Sequence, residues 1–510
     1  MISRTTQSLL AAVGVLALAV GIAEVHAPTG QAAAPGATVR TAVQHSSLVC
    51  PPPLQSLTGS TVYSLAVPGA QTGGAQSSGA QSSGAQNGAA GAAGTAALGA
   101  LPASGTAGSS APAAAAKPLA TQTSVGGATA AKAASGAKAA ALLGTADGST
   151  APGFTVQQTT TGPGKALSGT ACGTPGTDFW FAGGDSVKGS VDYIELTNAE
   201  STAADVDVRI FGPNGEVENA QASNINVPAA GTSSLLLSSL LSPGNDNLAL
   251  TVHVLVRSGR VGAALHADSG DTKGADWVPP TTPASSQVIP GLPGDLTNAV
   301  LLVAVPGPND VDLKVQLASQ DGWITPAGHE TVHAKAGMVT AFTLGALTHG
   351  QPATMRLTPS DPKQADPFVA GIQVFRGKTK TGTDVGYLAA STPIGQRATA
   401  AGNTNGTSTL LLTATGAAAV VKVSEIGGSG TPTTQNVTVP AGATVPSVLK
   451  GPNGSYAVTV EPVSGGPVYA ARMISVNSGS VPTFTVQQLP DDHSTVQIPR
   501  AVQNDSILMP

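Results

Sequence analysis

The stretch that decides the fold is Asp192–Gly215, DYIELTNAESTAADVDVRIFGPNG. Ile194 and Leu196 alternate with Tyr193, Glu195 and Thr197, and Val206, Val208 and Ile210 alternate with Asp207, Arg209 and Phe211. Apolar side chains at every second position bury one face of a strand, and Gly212-Pro213-Asn214-Gly215 supplies the turn chemistry that follows. Val252–Arg257 and Arg260–Leu265 repeat the pattern around Ser258-Gly259 and read as a further strand pair. No window of twelve or more residues carries a 3.6-residue apolar period, so the chain is predicted to be all-β.

Working outward, one strand-turn unit recurs at Asn226–Thr232, Thr331–Gly337 and Thr438–Thr444, each time preceded and followed by apolar strands. Its spacing of about 105 residues matches a β-sandwich domain rather than a solenoid coil. Three tandem immunoglobulin-like β-sandwiches are therefore expected, at residues 41–68 plus 154–270, 287–393 and 408–510. Residues 271–286 and 394–407 read as semi-rigid linkers, which predicts an elongated rod. Residues 69–153 collapse to Ala, Gly, Ser, Thr and Gln, with GAQSSGAQSSGAQ starting at Gly74, and read as a disordered insertion within the first sandwich. Phe154–Gln158 and Phe484–Gln488 share the sequence FTVQQ, either as equivalent edge strands or by coincidence.

Composition removes several classes of function. The 510 residues include 63 Gly and 38 Pro, too many backbone punctuators for a helical enzyme. Lys plus Arg is 23 against 28 for Asp plus Glu, a net charge of -5, which leaves no basic face for a nucleic acid. Leu9–Ala23 is an uninterrupted apolar run behind Arg4 with no acidic residue before Glu24, so residues 1–28 are expected to be a signal peptide or membrane anchor. Everything beyond is then expected outside the cytoplasmic membrane, secreted or membrane-anchored. In that oxidising setting the two cysteines, Cys50 and Cys172, are expected to form one disulfide.

The motifs that could carry chemistry are weighed against their setting. His329-Glu330-Thr331-Val332-His333 spells the His-Glu-x-x-His of zinc peptidases. That motif works only on a helix; on a strand its two histidines lie ~13 Å apart, too far to share an ion. The segment follows Pro326-Ala327-Gly328 and occupies the position of the recurrent strand, so no metal and no other cofactor is expected. The aromatic cluster Phe179, Trp180 and Phe181, with Trp277 and Trp323, is the candidate binding surface, because exposed aromatic ledges grip sugar rings or partner proteins. Asp178, Asp185, Asp192 and Glu195 lie around that cluster and would be the carboxylates of a glycan hydrolase if two of them converged.

Thr170–Phe181 (TACGTPGTDFWF), Gly274–Pro280 (GADWVPP), Ile289–Gly294 (IPGLPG) and Val496–Pro499 (VQIP), in that order, resemble an uncharacterised family of exported actinobacterial proteins. The resemblance runs from about residue 40 to the end, outside the Ala- and Gly-rich insertion. It implies an exported all-β protein with a domain of unknown function, whose genes tend to lie beside a cell-envelope glycosyltransferase. It brings no catalytic residues. The expected function is non-catalytic: an envelope protein presenting binding surfaces to wall glycan or to another exported or membrane protein. The alternative is an accessory subunit of an envelope polysaccharide glycosyltransferase system, and the third reading is a glycan hydrolase. Membrane contact would run through the N-terminal segment if it is uncleaved.

Overall fold

The computed structural model describes residues 38–53, 59–71, 93–101, 117–133, 139–162, 167–217, 220–241, 249–270, 274–363, 366–378, 382–428, 431–478 and 481–499. The expected signal peptide or anchor at residues 1–28 and the GAQSSGAQSSGAQ repeats lie outside the described residues. Among those described, the chain is all-β, with three short 3-10 turns and no α-helix. It divides into two units. The smaller contributes a two-stranded sheet of Thr38–Ala42 and Thr495–Pro499; the larger spans Ala42–Thr495.

The decisive stretch lies in a sandwich of two antiparallel sheets. From edge to edge one sheet runs Asp178–Ala182, Thr251–Ser258, Ala204–Gly212 and Gly215–Val217, with Ile225–Val227 also paired to Ala204–Gly212. The other runs Gly231–Leu236, Tyr193–Asn198, Gly262–Asp268 and Ala275–Val278. Val206, Val208 and Val252 from the first face Ile194, Leu196 and Leu265 from the second in one core. Gly212-Pro213-Asn214-Gly215 closes a hairpin, with Gly212 opposite Gly215 and Gly215 at φ +112°. Thr251–Ser258 and Gly262–Asp268, however, are not the hairpin expected around Ser258-Gly259. They belong to opposite sheets, because two-residue alternation reports which face is buried and not which strand is the neighbour.

The same strand order is built four times, not three. The eight larger sheets pair around four separate cores, within Gln287–Ala389 and Ala398–Gln488 as well as the two sandwiches in the N-terminal half. The expected first sandwich, 41–68 plus 154–270, is in fact two. Half of the strands of the first come from the segment expected to be a disordered insertion, 69–153. There Ala96–Ala100, Ala120–Gln122 and Leu142–Asp147 join His45–Cys50 in one sheet, and Gly127–Ala133 joins Ser60–Val67, Thr155–Thr161 and Leu167–Ala171 in the other. Ala96, Leu98 and Ala146 are fully buried against Tyr63, Leu65 and Phe154. Small residues let the two sheets close tightly: a side chain at Gly144 would meet the Phe154 ring at 3.2 Å. The Cys50–Cys172 disulfide, with Cα atoms 4.4 Å apart, lies within this core and closes 122 residues.

Two expected linkers are also strands. Ala275–Val278 completes the second sandwich and Ala398–Asn403 opens the fourth. Nor do the sandwiches form a rod. The last strand of each, Leu167–Ala171, Ala275–Val278, Gly382–Ala389 and Val481–Gln488, contacts the next, and the fourth returns to the first. These four closing strands form a cycle. The two FTVQQ copies are inequivalent in it: the first lies inside a sheet, in Thr155–Thr161, and the second is part of a closing strand.

Candidate functional site

The predicted aromatic surface divides between two places. Along Asp178–Ala182 alternate residues face opposite sides, so Trp180 parts company with Phe179 and Phe181. Trp180 is no exposed ledge. It is 6% exposed, stacked on His253 at 3.8 Å and on Phe211 at 5.7 Å, and packed with Leu302, Val339 and Val369 of the third sandwich. Nε2 of His253 lies 3.1 Å from Asp178 Oδ1, and burial holds the imidazole below its ordinary range, with Asp178 opposing the shift. Trp323 is half-buried under the Arg356 guanidinium, 3.8 Å above its ring.

Phe179, Phe181 and Trp277 come together in a cleft beside the disulfide. Val49 and Pro51 of the first sandwich form one wall, Pro280 flanks another, and Glu195 is the ionisable residue in the lining. The cleft holds about 60 Å³. That is room for roughly four to six waters at ~10–15 Å³ each, far short of a sugar-sized pocket. Glu195 comes from Tyr193–Asn198, pairs with Ser234 and Ala264 on its two sides, and points away from the core that Ile194 and Leu196 fill. Ser234 Oγ donates to Glu195 Oε2. Burial pushes the Glu195 carboxyl up to about 7 against the pull of that hydrogen bond.

The other carboxylates named in the sequence do not join it. Asp192 Oδ2 accepts from the Asp185 backbone N–H at 2.7 Å and Oδ1 from that of Asp268 at 3.0 Å. Burial, reinforced by Asp185, pushes Asp192 up to about 8. Its two accepted bonds pin the loop ahead of Tyr193–Asn198 to the strand Gly262–Asp268. His333 sits on the strand Thr331–Ala334, opposite Asp312, with Nδ1 2.9 Å from Asp312 Oδ1 and Nε2 3.3 Å from Asp310 Oδ2. The last three residues of the His-Glu-x-x-His segment thus lie on a strand and not a helix, and no cluster of three or more metal-ligating side chains occurs among the described residues.

A second polar site, which the sequence reading missed, lies where the closing strands meet. Asp276 Oδ1 accepts from Gly169 N–H of the first sandwich at 3.0 Å, from Trp277 N–H at 2.9 Å and from Thr485 Oγ1 of the fourth at 3.2 Å. Asp384 Oδ2 accepts from Phe484 N–H at 2.7 Å, tying the third sandwich to the fourth. Burial pushes Asp276 up to about 7 and Asp384 up to about 8. Nearby, Arg472 is fully buried, donating to Ala401 O and Gln487 Oε1. Gly169 is required at the meeting point, since a side chain there would come within 2.9 Å of Thr485 Cγ2. The one signal available beforehand was a repeated Gly-x-Asp, Gly274-Ala275-Asp276 and Gly382-Thr383-Asp384, at matching points of two modules.

Residues 129–450, more than half of the 510, match DUF5719, a family of unknown function. The chain belongs to that family. The matched DUF5719 region takes in the closing strands of the first three sandwiches, with Glu195, Asp276 and Asp384. No curated protein gives a significant match to the chain.

Proposed function

We propose that this protein is a non-catalytic scaffold outside the cytoplasmic membrane that presents binding surfaces to wall glycan or to another exported or membrane protein. The observation that carries this reading is the use made of the buried carboxyls. Asp276 and Asp384 spend oxygen atoms on backbone and hydroxyl donors of neighbouring sandwiches, which fixes modules far apart in sequence against one another. A carboxyl held as a joint between strands serves rigidity, and rigid modules hold surface features at constant spacing. The disulfide supports an oxidising compartment. The two-sheet build of each module supports an immunoglobulin-like architecture in the broad sense, with a strand order of its own.

Of the two partner classes, the cleft favours protein, because 60 Å³ does not enclose a sugar ring. An envelope glycosyltransferase served as by an accessory subunit is one such partner. The test is affinity capture from solubilised envelope with the full chain and with a chain lacking residues 1–28, alongside a glycan array. Capture of a discrete membrane or exported protein supports the reading. Hydrolysis of envelope glycan that disappears in Glu195→Gln would replace it with an enzyme.

A further inference from the structure

The cleft beside the disulfide has a composition that specifies its occupant. Its walls are Phe179, Phe181, Trp277 and the proline and valine side chains of two sandwiches, and within them stands the carboxyl of Glu195. Phe179 is the half-buried ring, with Phe181 and Trp277 buried behind the lining. An aromatic wall with a single anionic group forms the recognition chemistry of a compact organic cation: the ring attracts the charge, and the carboxylate accepts its hydrogen bonds. No ion pair to Glu195 occurs among the described residues, and the influences on its carboxyl are burial and the Ser234 hydroxyl. Once ionised, this carboxyl is a desolvated anion with no ion-pair partner among the described residues, an arrangement that favours a cation brought from outside.

Size narrows the class. About 60 Å³ takes the end of a chain and leaves the remainder in solvent, so the occupant is the tip of something larger. Among the lining residues Ala171, Gly173, Thr174 and Pro280 are exposed. A lysine side chain fits both limits, with a small ammonium head on an apolar stem that the aromatic and proline walls can cover. The planar guanidinium of arginine is broader.

We infer that this cleft binds the ammonium group of a lysine side chain presented by a partner polypeptide, with Glu195 as its counter-ion and Phe179, Phe181 and Trp277 as its walls. This goes beyond the scaffold reading and does not depend on it, since the cleft can be tested without knowing the partner. Because Glu195 releases its proton near neutrality, occupancy is also coupled to pH. The side chains facing it, Ser234 and Ala264 across the sheet and the aromatic and proline walls, do not titrate in that range.

The test is calorimetric titration of the full chain with n-butylammonium, n-butanol, acetyl-Gly-Lys-Gly-amide and its arginine counterpart at pH 6 and pH 8. Butylammonium should bind saturably and at least about tenfold more tightly than butanol, with the lysine peptide tighter still. Affinity should rise about tenfold from pH 6 to pH 8 as a carboxyl titrating near 7 ionises. Glu195→Gln, which keeps the shape and can still accept from Ser234, should lose the ammonium preference and the pH dependence together. Ser234→Ala retains the carboxyl and removes its donor, so the midpoint of the pH profile should move upward; this variant keeps the test decisive if Glu195→Gln does not fold. Equal binding of butanol and butylammonium, unaltered binding by Glu195→Gln, or no saturable binding would overturn the inference. Preference for the arginine peptide, or binding of the free amine but not the lysine peptide, would overturn the choice of occupant.

Discussion

The first and third sandwiches share one strand order and reach it with different means. The third fills its core with Ile289, Leu301, Leu313, Val315, Leu317, Phe368 and Ile372, large side chains that each bury much apolar surface. The first has a smaller core, in which alanines 96, 146 and 151 pack beside Tyr63, Leu65 and Phe154, and a disulfide sits within the packing. At roughly 25 cal/mol per Å², the smaller apolar core of the first contributes less to its stability than the core of the third does, and the disulfide adds a covalent restraint to it. Removing that restraint is the largest way to break the comparison. In a Cys50→Ser, Cys172→Ser double variant, loss of a 122-residue closure should cost about 5 kcal/mol on the chain-entropy account. Hydrogen exchange followed by mass spectrometry should then show strands 96–100 and 142–147 losing protection while 311–319 keeps it. Uniform loss across all four modules would mean that the cycle of closing strands unfolds as one body.

The next variants compare the two cores at equal chemistry. Leu98 and Leu313 are both fully buried, and truncation of either to alanine should cost about 2–5 kcal/mol. In the first sandwich that is a large part of the local stability, so Leu98→Ala should expose local opening at low urea. Leu313→Ala should instead shift the main transition. Coincident transitions in the two variants would erase the distinction.

The carboxyls at the closing strands bind the unlike modules together, and their sign of pH dependence is set by burial. Asp276 and Asp384 titrate near 7 and 8 in the folded protein, above the ordinary range of an aspartate near 4. The folded state thus holds protons that the unfolded state releases. Stability from these groups is complete below about pH 4 and is lost as pH rises through 7 to 8. Asp276→Asn should flatten that slope. At about 1.36 kcal/mol per pH unit the gain at pH 8 is at most roughly 4 kcal/mol, before the hydrogen bonds of the lost carboxyl are counted. Thermal melts of both proteins from pH 4 to 9 check this, and parallel curves would show that Asp276 does not titrate in the window.

Much of the second sandwich was legible because its faces differ in chemistry: valine, isoleucine and leucine against aspartate, arginine and threonine mark each strand between 193 and 212. The first sandwich was not, since Gly127–Ala133, GATAAKA, alternates only in size, and burial there depends on how closely backbones approach. Leucines at 98, 101, 119, 142 and 143, with Val125, were the available contrast between residues 69 and 153. Apart from the hairpin at 212–215, strand partners were illegible, because many consecutive strands cross between sheets. In the cleft, Phe179, Phe181 and Glu195 were all named from sequence, but Val49 and Pro51 reach it only through the packing of one sandwich on another. Trp180 was misplaced for a local reason: one position along a strand reverses the face.

Trp323 and Arg356 give the finest test of how self-sufficient the third sandwich is. The guanidinium lies 3.8 Å over the indole, donates to Gln316 Oε1 at 2.6 Å, and reaches Thr415 O of the fourth sandwich at 3.4 Å. Since the apolar core carries this module, losing the stack should cost only about 0.5–1 kcal/mol. Arg356→Lys keeps a positive charge but not the planar face, so it should forfeit most of the ring contact. A double-mutant cycle with Trp323→Leu, read by urea midpoint, isolates the pair. A coupling near zero would mean that the stack is incidental, whereas a coupling above about 2 kcal/mol would place a main support of the third sandwich at its seam with the fourth, and the contrast with the small-cored first sandwich would weaken accordingly.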